Sequence, residues 1–435
     1  MKRFLLLSIL IYILLLLGLA ALNRDLLALA IPLIVFLGAA LFYGPEELQL
    51  KAFRTIRDSS VPQGANVVIR ILITNEGNRL EEVFVEDILP ESLELVEGEP
   101  QVLTSLPRGG SVQLEYSVRG NRGNFSFKSI RVTASDFLGI HRRQTHLPAP
   151  GRLVVLPKPW KLKPLDIRPT QTKGYAGPVP ARRGGSGVEF FGVREYRPGD
   201  PRNWINWRLS ARHLGGLIAN EFETEQIADI GLILDARKDS DVRLDNNSLF
   251  EYSVRATASL SEVFISGGNR VGLLIYGTNP VWTFPGYGKI QRNKIFDALA
   301  HGEAQGIGLF TNLDYLPTRR FPSRSQIIII TPLLSSDSPM LIRLRSHGYQ
   351  ILVISPDPVD FEFKHLKSVR SKFALQDLEL AARVARLERK VLLKNLRQAG
   401  VQIVDWKVDT PLVNSIHRAL CRLSHKPHHM RMEAQ

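Results

Sequence analysis

The apolar run Ile230 to Leu234 ends on Asp235 and passes into ARKDSD, so a carboxylate, a guanidinium and two further carboxylates follow one another at the end of a predicted strand. Where apolar strands alternate with helices, ligands gather outside the carboxyl ends of the strands. That makes Asp235, Arg237 and Asp239 the first candidates for binding chemistry. A second concentration of costly side chains precedes them. VREYRPGDPRNWINWRLSAR, Val193 to Arg212, sets five arginines, a tyrosine and two of the chain's five tryptophans around a Pro-Gly-Asp turn. Arginine beside aromatic rings can stack on bases and contact phosphates. The same residues can also build a connector in which Asp200 and Glu195 pair with the arginines while the tryptophans are buried.

Other constellations fall short of a site. Gly286-Tyr287-Gly288-Lys289 lacks the upstream glycine and the following Ser or Thr of a phosphate-binding loop. Ser186 lacks the Gly-x-Ser-x-Gly spacing of a nucleophile elbow and reads as linker. Cys421, His425, His428 and His429 could ligate a metal, but they sit in a terminal tail, where fraying is the rule. No matched acid, base and nucleophile set emerges, which weighs against an enzyme acting on cell-envelope material.

The elements that must position Asp235 and the arginine-rich stretch follow from composition and periodicity. With 435 residues, two globular domains are expected. A formal charge of +14 and a pI near 9.9 favour anionic company, whether nucleic acid, anionic lipid or acidic protein. A single cysteine, Cys421, rules out an intramolecular disulfide framework.

Two apolar runs open the chain, nineteen residues from Phe4 to Leu22 and eighteen from Leu26 to Tyr43, separated by Asn23-Arg24-Asp25. They predict a transmembrane helical hairpin over residues 1–45, and the basic flanks Lys2, Arg3, Lys51, Arg54 and Arg57 place both ends in the cytoplasm of an inner-membrane, multi-pass protein. Residues 46–156 alternate with period two between turns, as where Val67, Ile69, Ile71 and Ile73 share one face, and predict an all-β sandwich. Prolines and then Gly184-Gly185-Ser186-Gly187 mark a linker over 157–187, followed by the arginine-rich segment at 188–226. Residues 227–424 alternate apolar strands with helices, predicting a parallel sheet covered on both faces, with Val281 to Phe284 as an antiparallel edge and 425–435 as a tail. Along the helix predicted at Leu375 to Gln398, Leu380, Val384, Leu387 and Val391 make an apolar stripe beside Arg383, Arg386, Lys390 and Arg397, which reads as a solvated basic face.

Three resemblances gather on these residues. The β-rich region, with TNEGN, VEDILPESLEL and SDFLG in order, is similar to bacterial immunoglobulin-like repeats. The last domain resembles a von Willebrand factor A-like (Rossmann-type) domain, whose Asp-x-Ser-x-Ser strand end, with a later threonine and aspartate, implies a Mg²⁺ site completed by a partner's carboxylate. Asp235 matches the aspartate and Thr311 the threonine, but Arg237 and Asp239 stand at the serines and Pro332 at the later aspartate. A guanidinium in the ligand set repels a divalent cation, so this is a degenerate site at which no metal and no cofactor is expected. Arg237 would then either grip the partner's carboxylate directly, making Asp235, Arg237, Asp239 and Thr311 the partner-binding candidates, or pair with Asp235 or Asp239 and close the site.

Glu189, Arg194, Glu195, Tyr196, Gly199, Asp200, Trp207 and Arg212 resemble the signature of the domain of unknown function fifty-eight family, apart from Asn203 where an arginine is expected. In this reading Trp204 and Trp207 are apolar anchors of an irregular loop. The family implies a membrane-anchored scaffold or adaptor, not an enzyme, partnered with a MoxR-type AAA+ ATPase or its client; nucleic-acid binding ranks behind this.

Overall fold

The computed structural model describes residues 2–22, 24–42, 48–135, 142–164, 179–212, 215–226, 228–244, 247–304, 321, 325–369 and 372–424. The chain divides into two compact units, Met1–Leu156 and Pro157–Gln435.

The first unit begins with α1 (Lys2–Ala20) and α2 (Arg24–Phe42). They pack together because small residues let them approach: a Cβ on Gly18 would lie 2.9 Å from Leu27 Cδ2, and Ala30 is fully buried. The expected membrane-spanning hairpin is corrected here. Among the described residues no helix is long and apolar enough to cross a membrane. Each helix has 19 residues and opens on charge, Lys2-Arg3 in α1 and Arg24-Asp25 in α2. The apolar remainder is about 17 residues, or about 26 Å at helical rise, against a hydrocarbon core of about 30 Å. The inner-membrane, multi-pass placement and the cytoplasmic orientation rested on that hairpin and fall with it.

The alternating runs of this unit form nine strands: β1 (Leu50–Ile56), β2 (Ser60–Pro62), β3 (Val67–Asn75), β4 (Leu80–Asp87), β5 (Leu93–Gly98), β6 (Gln101–Leu106), β7 (Ser111–Gly120), β8 (Gly123–Ser135) and β9 (Arg142–Leu156). They lie in two sheets, ordered β1-β3-β7-β5 and β2-β9-β8-β4-β6. Val67, Ile69, Ile71 and Ile73 of β3 point into one core with Val83 and Val85 of β4 and Ile130 and Val132 of β8, so both sheets bury their apolar faces together. A charged pair is enclosed there. Asp87 accepts hydrogen bonds from the Arg54 guanidinium and the Tyr116 hydroxyl, and Arg54 also lies 4.6 Å over the Phe127 ring. Burial, and then the charge of Asp87, drives the Tyr116 phenol well above its ordinary range.

In the second unit, β10 (Val179–Glu195) pairs antiparallel with β11 (Ile218–Gln226), with the single turn α3 (Trp207–Ser210) between them in sequence. Parts of the expected linker are structured: Trp160 stacks edge-on against Trp406 at 5.7 Å, and Gly184 and Gly185 pair with Glu223 and Phe222 inside the hairpin.

The α/β sheet follows. Its elements are β12 (Asp229–Ala236), a small hairpin of β13 (Arg243–Leu244) and β14 (Asn247–Ser248), α4 (Leu249–Ser266), β15 (Arg270–Gly277), β16 (Val281–Gly286), α5 (Gly288–His301), β17 (Gln326–Ile330), α6 (Ser338–Ser346), β18 (Gln350–Pro356), α7 (Pro358–Val369), α8 (Lys372–Gln398), β19 (Gln402–Trp406) and α9 (Leu412–Ser424). The sheet order is β16-β15-β12-β17-β18-β19, parallel except for the antiparallel edge β16. β12 is buried along nearly its whole length, as strands covered on both faces must be. Close packing shows at Gly231, where a Cβ would sit 2.4 Å from the Phe321 ring. Strand order reverses between β12 and β17, and the crevice outside their carboxyl ends is where this class of sheet places ligands.

Candidate functional site

Asp235 stands at that reversal. Parallel register sets Leu234 against Ile330, so the next residues along each strand, Asp235 and Thr331, meet at the carboxyl edge. Thr331 Oγ1 donates to Asp235 Oδ2 at 2.7 Å, and Ser240 Oγ, from the turn after β12, donates to the same oxygen at 2.7 Å. Arg237 supplies the rest. Its Nε and Nη2 donate to the two oxygens of Asp235 at 2.9 and 2.8 Å, and its Nη1 and Nη2 to the two oxygens of Asp337 at 2.8 Å each. Asp337 ends a turn that caps α6, and its Oδ2 also accepts from Leu334 N at 2.9 Å. One guanidinium thus bridges two buried carboxylates through both forks. Burial alone would lower the pKa of Arg237, but the hydrogen bonds and charges of Asp235 and Asp337 outweigh it and raise it. The backbone bends to fit: Leu333 adopts φ 65°, with its N–H donating to Thr331 Oγ1 at 3.1 Å.

The sequence-based candidates are only partly assembled here. Asp235 and Arg237 are at the centre, but Arg237 is 4% exposed and committed to its two aspartates, so it is not an open donor to a partner's carboxylate. Asp239 points outward from the turn and is exposed. Thr311 lies outside the described residues, and Thr331 is the threonine on Asp235. Ser240, Thr331 and Asp337 were missed.

A second guanidinium fills the neighbouring crevice. Arg389 of α8 is buried and donates to Pro332 O at 2.8 Å, Ser355 Oγ at 2.9 Å and Asp405 Oδ1 at 2.9 Å, linking the ends of β17, β18 and β19. The carboxyl edge of the sheet is closed by arginine at both places. Among the described residues no group of three or more His, Cys, Asp and Glu side chains is arranged to hold a metal.

The arginine-rich stretch has the opposite character. Gly199 takes φ 108° in the turn Arg197–Asp200, which brings Asp200 back onto Arg194, whose Nη1 and Nη2 donate to its two oxygens at 2.7 and 2.8 Å. Arg197 N donates to Asp200 Oδ2 at 2.9 Å and Tyr196 OH to Asp200 O at 3.0 Å. Asn206 Nδ2 donates to Asn220 Oδ1 at 2.8 Å, and Ser210 Oγ joins Asn206 O to Ile218 N at 2.8 Å each. Asp200, rather than Glu195, is therefore the carboxylate that orders the loop; Glu195 and Arg212 are exposed, and the Glu189 side chain lies outside the described residues.

The expected burial of Trp207 is corrected: it is 65% exposed, because the buried position of this segment is taken by Ile205, which bridges to Ala219. Phe190, Val193, Leu209 and Leu217 are exposed on the same hairpin and turn, as are Arg197, Arg202 and Arg208.

The hydrogen bonds from Arg194 and from the Arg197 backbone hold the Asp200 carboxyl down at about 2. Because the folded value lies below the ordinary 3.8, this clamp is present above about pH 4 and is lost as pH falls toward 2. An NMR pH titration should show Asp200 titrating near 2, with amide exchange at Arg197 accelerating in the same interval; an unshifted Asp200 would contradict the clamp.

These features define a doubly wound α/β domain with a closed strand-end site and an ordered, arginine- and aromatic-bearing hairpin before its first strand. Residues 192–389, from the hairpin through Arg389, match the family model described as "Protein of unknown function DUF58". It is similar to the uncharacterized protein YeaD of Bacillus subtilis (strain 168), 28% identical over 200 residues, which is 45% of this chain and 48% of YeaD. The chain thus spans about half the length of that relative. Among solved structures, the major pilin subunit BcpA of Bacillus cereus is matched at 8% identity over 26% of this chain and 41% of that one, with a TM-score of 0.20. The cupredoxin domain of amoB from Nitrosocaldus yellowstonii is matched at 11% identity over 29% and 97%, also with a TM-score of 0.20. At such scores neither likeness assigns a fold or a function.

Proposed function

We propose that the protein is an adaptor that acts by binding another protein, with the β10–β11 hairpin and the α3 turn as the docking surface, and that the partner is a MoxR-type AAA+ ATPase or its client. The observation that carries this reading is the exposure of Trp207 in a segment whose backbone is held by two separate hydrogen-bond networks. Displaying a large aromatic side chain on an ordered loop serves binding, since it removes the ordering cost that a mobile loop would incur on association. Trp and Arg are also the residue types that dominate interface energetics, and the exposed arginines around this segment favour an acidic contact surface. The ATPase is what the family resemblance implies. The sealed strand ends support binding at the hairpin over a metal-dependent or guanidinium-dependent contact at Asp235.

Exposed tryptophan with arginine also suits single-stranded nucleic acid. The aliphatic members Val193, Leu209 and Leu217 have no role in base stacking and favour a protein.

Trp207→Ala is expected to weaken binding to a purified MoxR-type ATPase by about 2 kcal/mol or more, as loss of an interface anchor does, while leaving thermal unfolding unchanged. Normal ATPase binding by the folded variant, or binding replaced by strongly salt-dependent affinity for single strands, would remove the reading.

A further inference from the structure

Helix α8 has two apolar faces. Ala382, Leu393 and Leu396, with the tethered Arg389, turn into the domain. On the opposite side Leu380, Val384, Leu387 and Val391 are 61, 49, 56 and 57% exposed. Their spacing of four, three and four residues is that of alternating d and a positions of a heptad, with leucine at d and valine at a. A solvated basic face does not need that register. The next positions on the same seam are charged and exposed at both ends: Asp377 precedes the stripe and Lys394 follows it.

We infer that this face is a homodimer interface in which α8 pairs antiparallel with α8 of a second copy. The occupant is written in the order of side chains. Antiparallel pairing about a two-fold axis between Val384 and Leu387 sets Leu380 against Val391 and Val384 against Leu387 of the other copy, then repeats the two layers in reverse. Each apolar layer combines one leucine with one valine and has the same volume. The same axis sets Asp377 against Lys394 at both ends, so the seam is closed by opposite charges, whereas a parallel pair would set Asp377 against Asp377 and Lys394 against Lys394. An isologous contact of this kind is self-complementary and closes at two subunits. The stripe is short, but α8 is already ordered by its inner face, so association does not have to meet the cost of forming the helix.

Sedimentation equilibrium of the full chain across a concentration series is expected to show a monomer–dimer equilibrium. Val384→Glu with Leu387→Glu, which sets glutamate against glutamate in both central layers, is expected to leave only monomer, with circular dichroism unchanged because both sites are exposed. Asp377→Lys alone is expected to weaken dimerisation about tenfold by setting two cations together at each end, and Asp377→Lys with Lys394→Asp to restore it. In a Cys421→Ser background, Leu380→Cys and Val391→Cys are each expected to resist self-crosslinking on mild oxidation, while a mixture of the two forms a disulfide-linked heterodimer. A chain that stays monomeric, a dimer indifferent to Val384→Glu/Leu387→Glu, a failure of the charge reversal to restore association, or self-crosslinking of Leu380→Cys would each overturn the proposal.

Discussion

Arg237→Ala is expected to destabilise the α/β domain by about 3–5 kcal/mol, the usual result of removing one partner from a buried ion pair. The size follows from what is left behind. Asp235 and Asp337 are both buried, and without the guanidinium they face one another across the space it filled. The loss is large even though the intact triad need not add net stability relative to a well-packed apolar cluster. All five tryptophans, at 160, 204, 207, 282 and 406, belong to the second unit, so tryptophan fluorescence reports this transition without a contribution from the β-rich unit. A denaturant titration should show the midpoint falling. The same geometry gives the wild type and a second variant opposite responses to Mg²⁺. With the guanidinium in place the two carboxylates are occupied, and EDTA or Mg²⁺ should change nothing. In Arg237→Ser, Asp235, Asp337, Ser240 and Thr331 leave an all-oxygen set of the type hard divalent cations take, and added Mg²⁺ should recover part of the lost stability. An Arg237→Ala protein as stable as wild type would show that the bridge does not form.

A similar loss, about 3–5 kcal/mol, is expected for Asp87→Ala in the β-rich unit. Here the stranded group is Arg54, whose side chain is fully buried and whose charge is answered by Asp87. Tyr116→Phe should cost less, about 1.5–3 kcal/mol, since it removes one hydrogen bond to a charged acceptor and leaves the ion pair intact. Because Arg54, Asp87 and Tyr116 form one network, the losses should not add: Asp87→Ala with Tyr116→Phe should cost less than the sum of the two. With no tryptophan in this unit, the transition is read by far-ultraviolet circular dichroism, and the tryptophan signal of the second unit serves as the internal control. Equal costs for Asp87→Ala and Tyr116→Phe, or strict additivity, would contradict a shared network.

The strand patterns were legible because period-two alternation in β3 and continuous apolar runs in β12 and β17 leave few alternatives. Asp235 was legible as a site residue for the same reason, since the run that defines β12 stops on it. Its neighbours were not. Thr331 becomes adjacent only once β17 is known to lie beside β12, and Thr311 satisfied the same sequence pattern. Asp337 is 100 residues from Arg237, and in Ser-Ser-Asp-Ser-Pro it reads as a helix cap; it does hold the N-cap position of α6, but its carboxylate is turned to Arg237 and Leu334 N. For Arg237 the sequence leaves two readings, a grip on a partner's carboxylate or pairing with Asp235 or Asp239, because it shows that a guanidinium is present but not which way it folds; the structure pairs it with Asp235 and with Asp337. Trp207 went wrong: two tryptophans beside an isoleucine do not reveal that Ile205 takes the buried place. The apolar runs count nineteen and eighteen residues, from Phe4 to Leu22 and from Leu26 to Tyr43, but α1 ends at Ala20 and α2 at Phe42, so the helical part of each is shorter than its run.

The proposed function depends on where a partner touches the second unit. Hydrogen–deuterium exchange of the full chain, with and without a saturating MoxR-type ATPase, reads this directly. Protection is expected over residues 190–212 and 215–218, where the exposed aromatic, aliphatic and arginine side chains sit. The turn from Arg237 to Asp241 should exchange as in the free protein, because Arg237 is already paired with Asp235 and Asp241 with Arg243. Protection of that turn with an unprotected hairpin would place the contact at the strand ends and contradict the proposed docking surface.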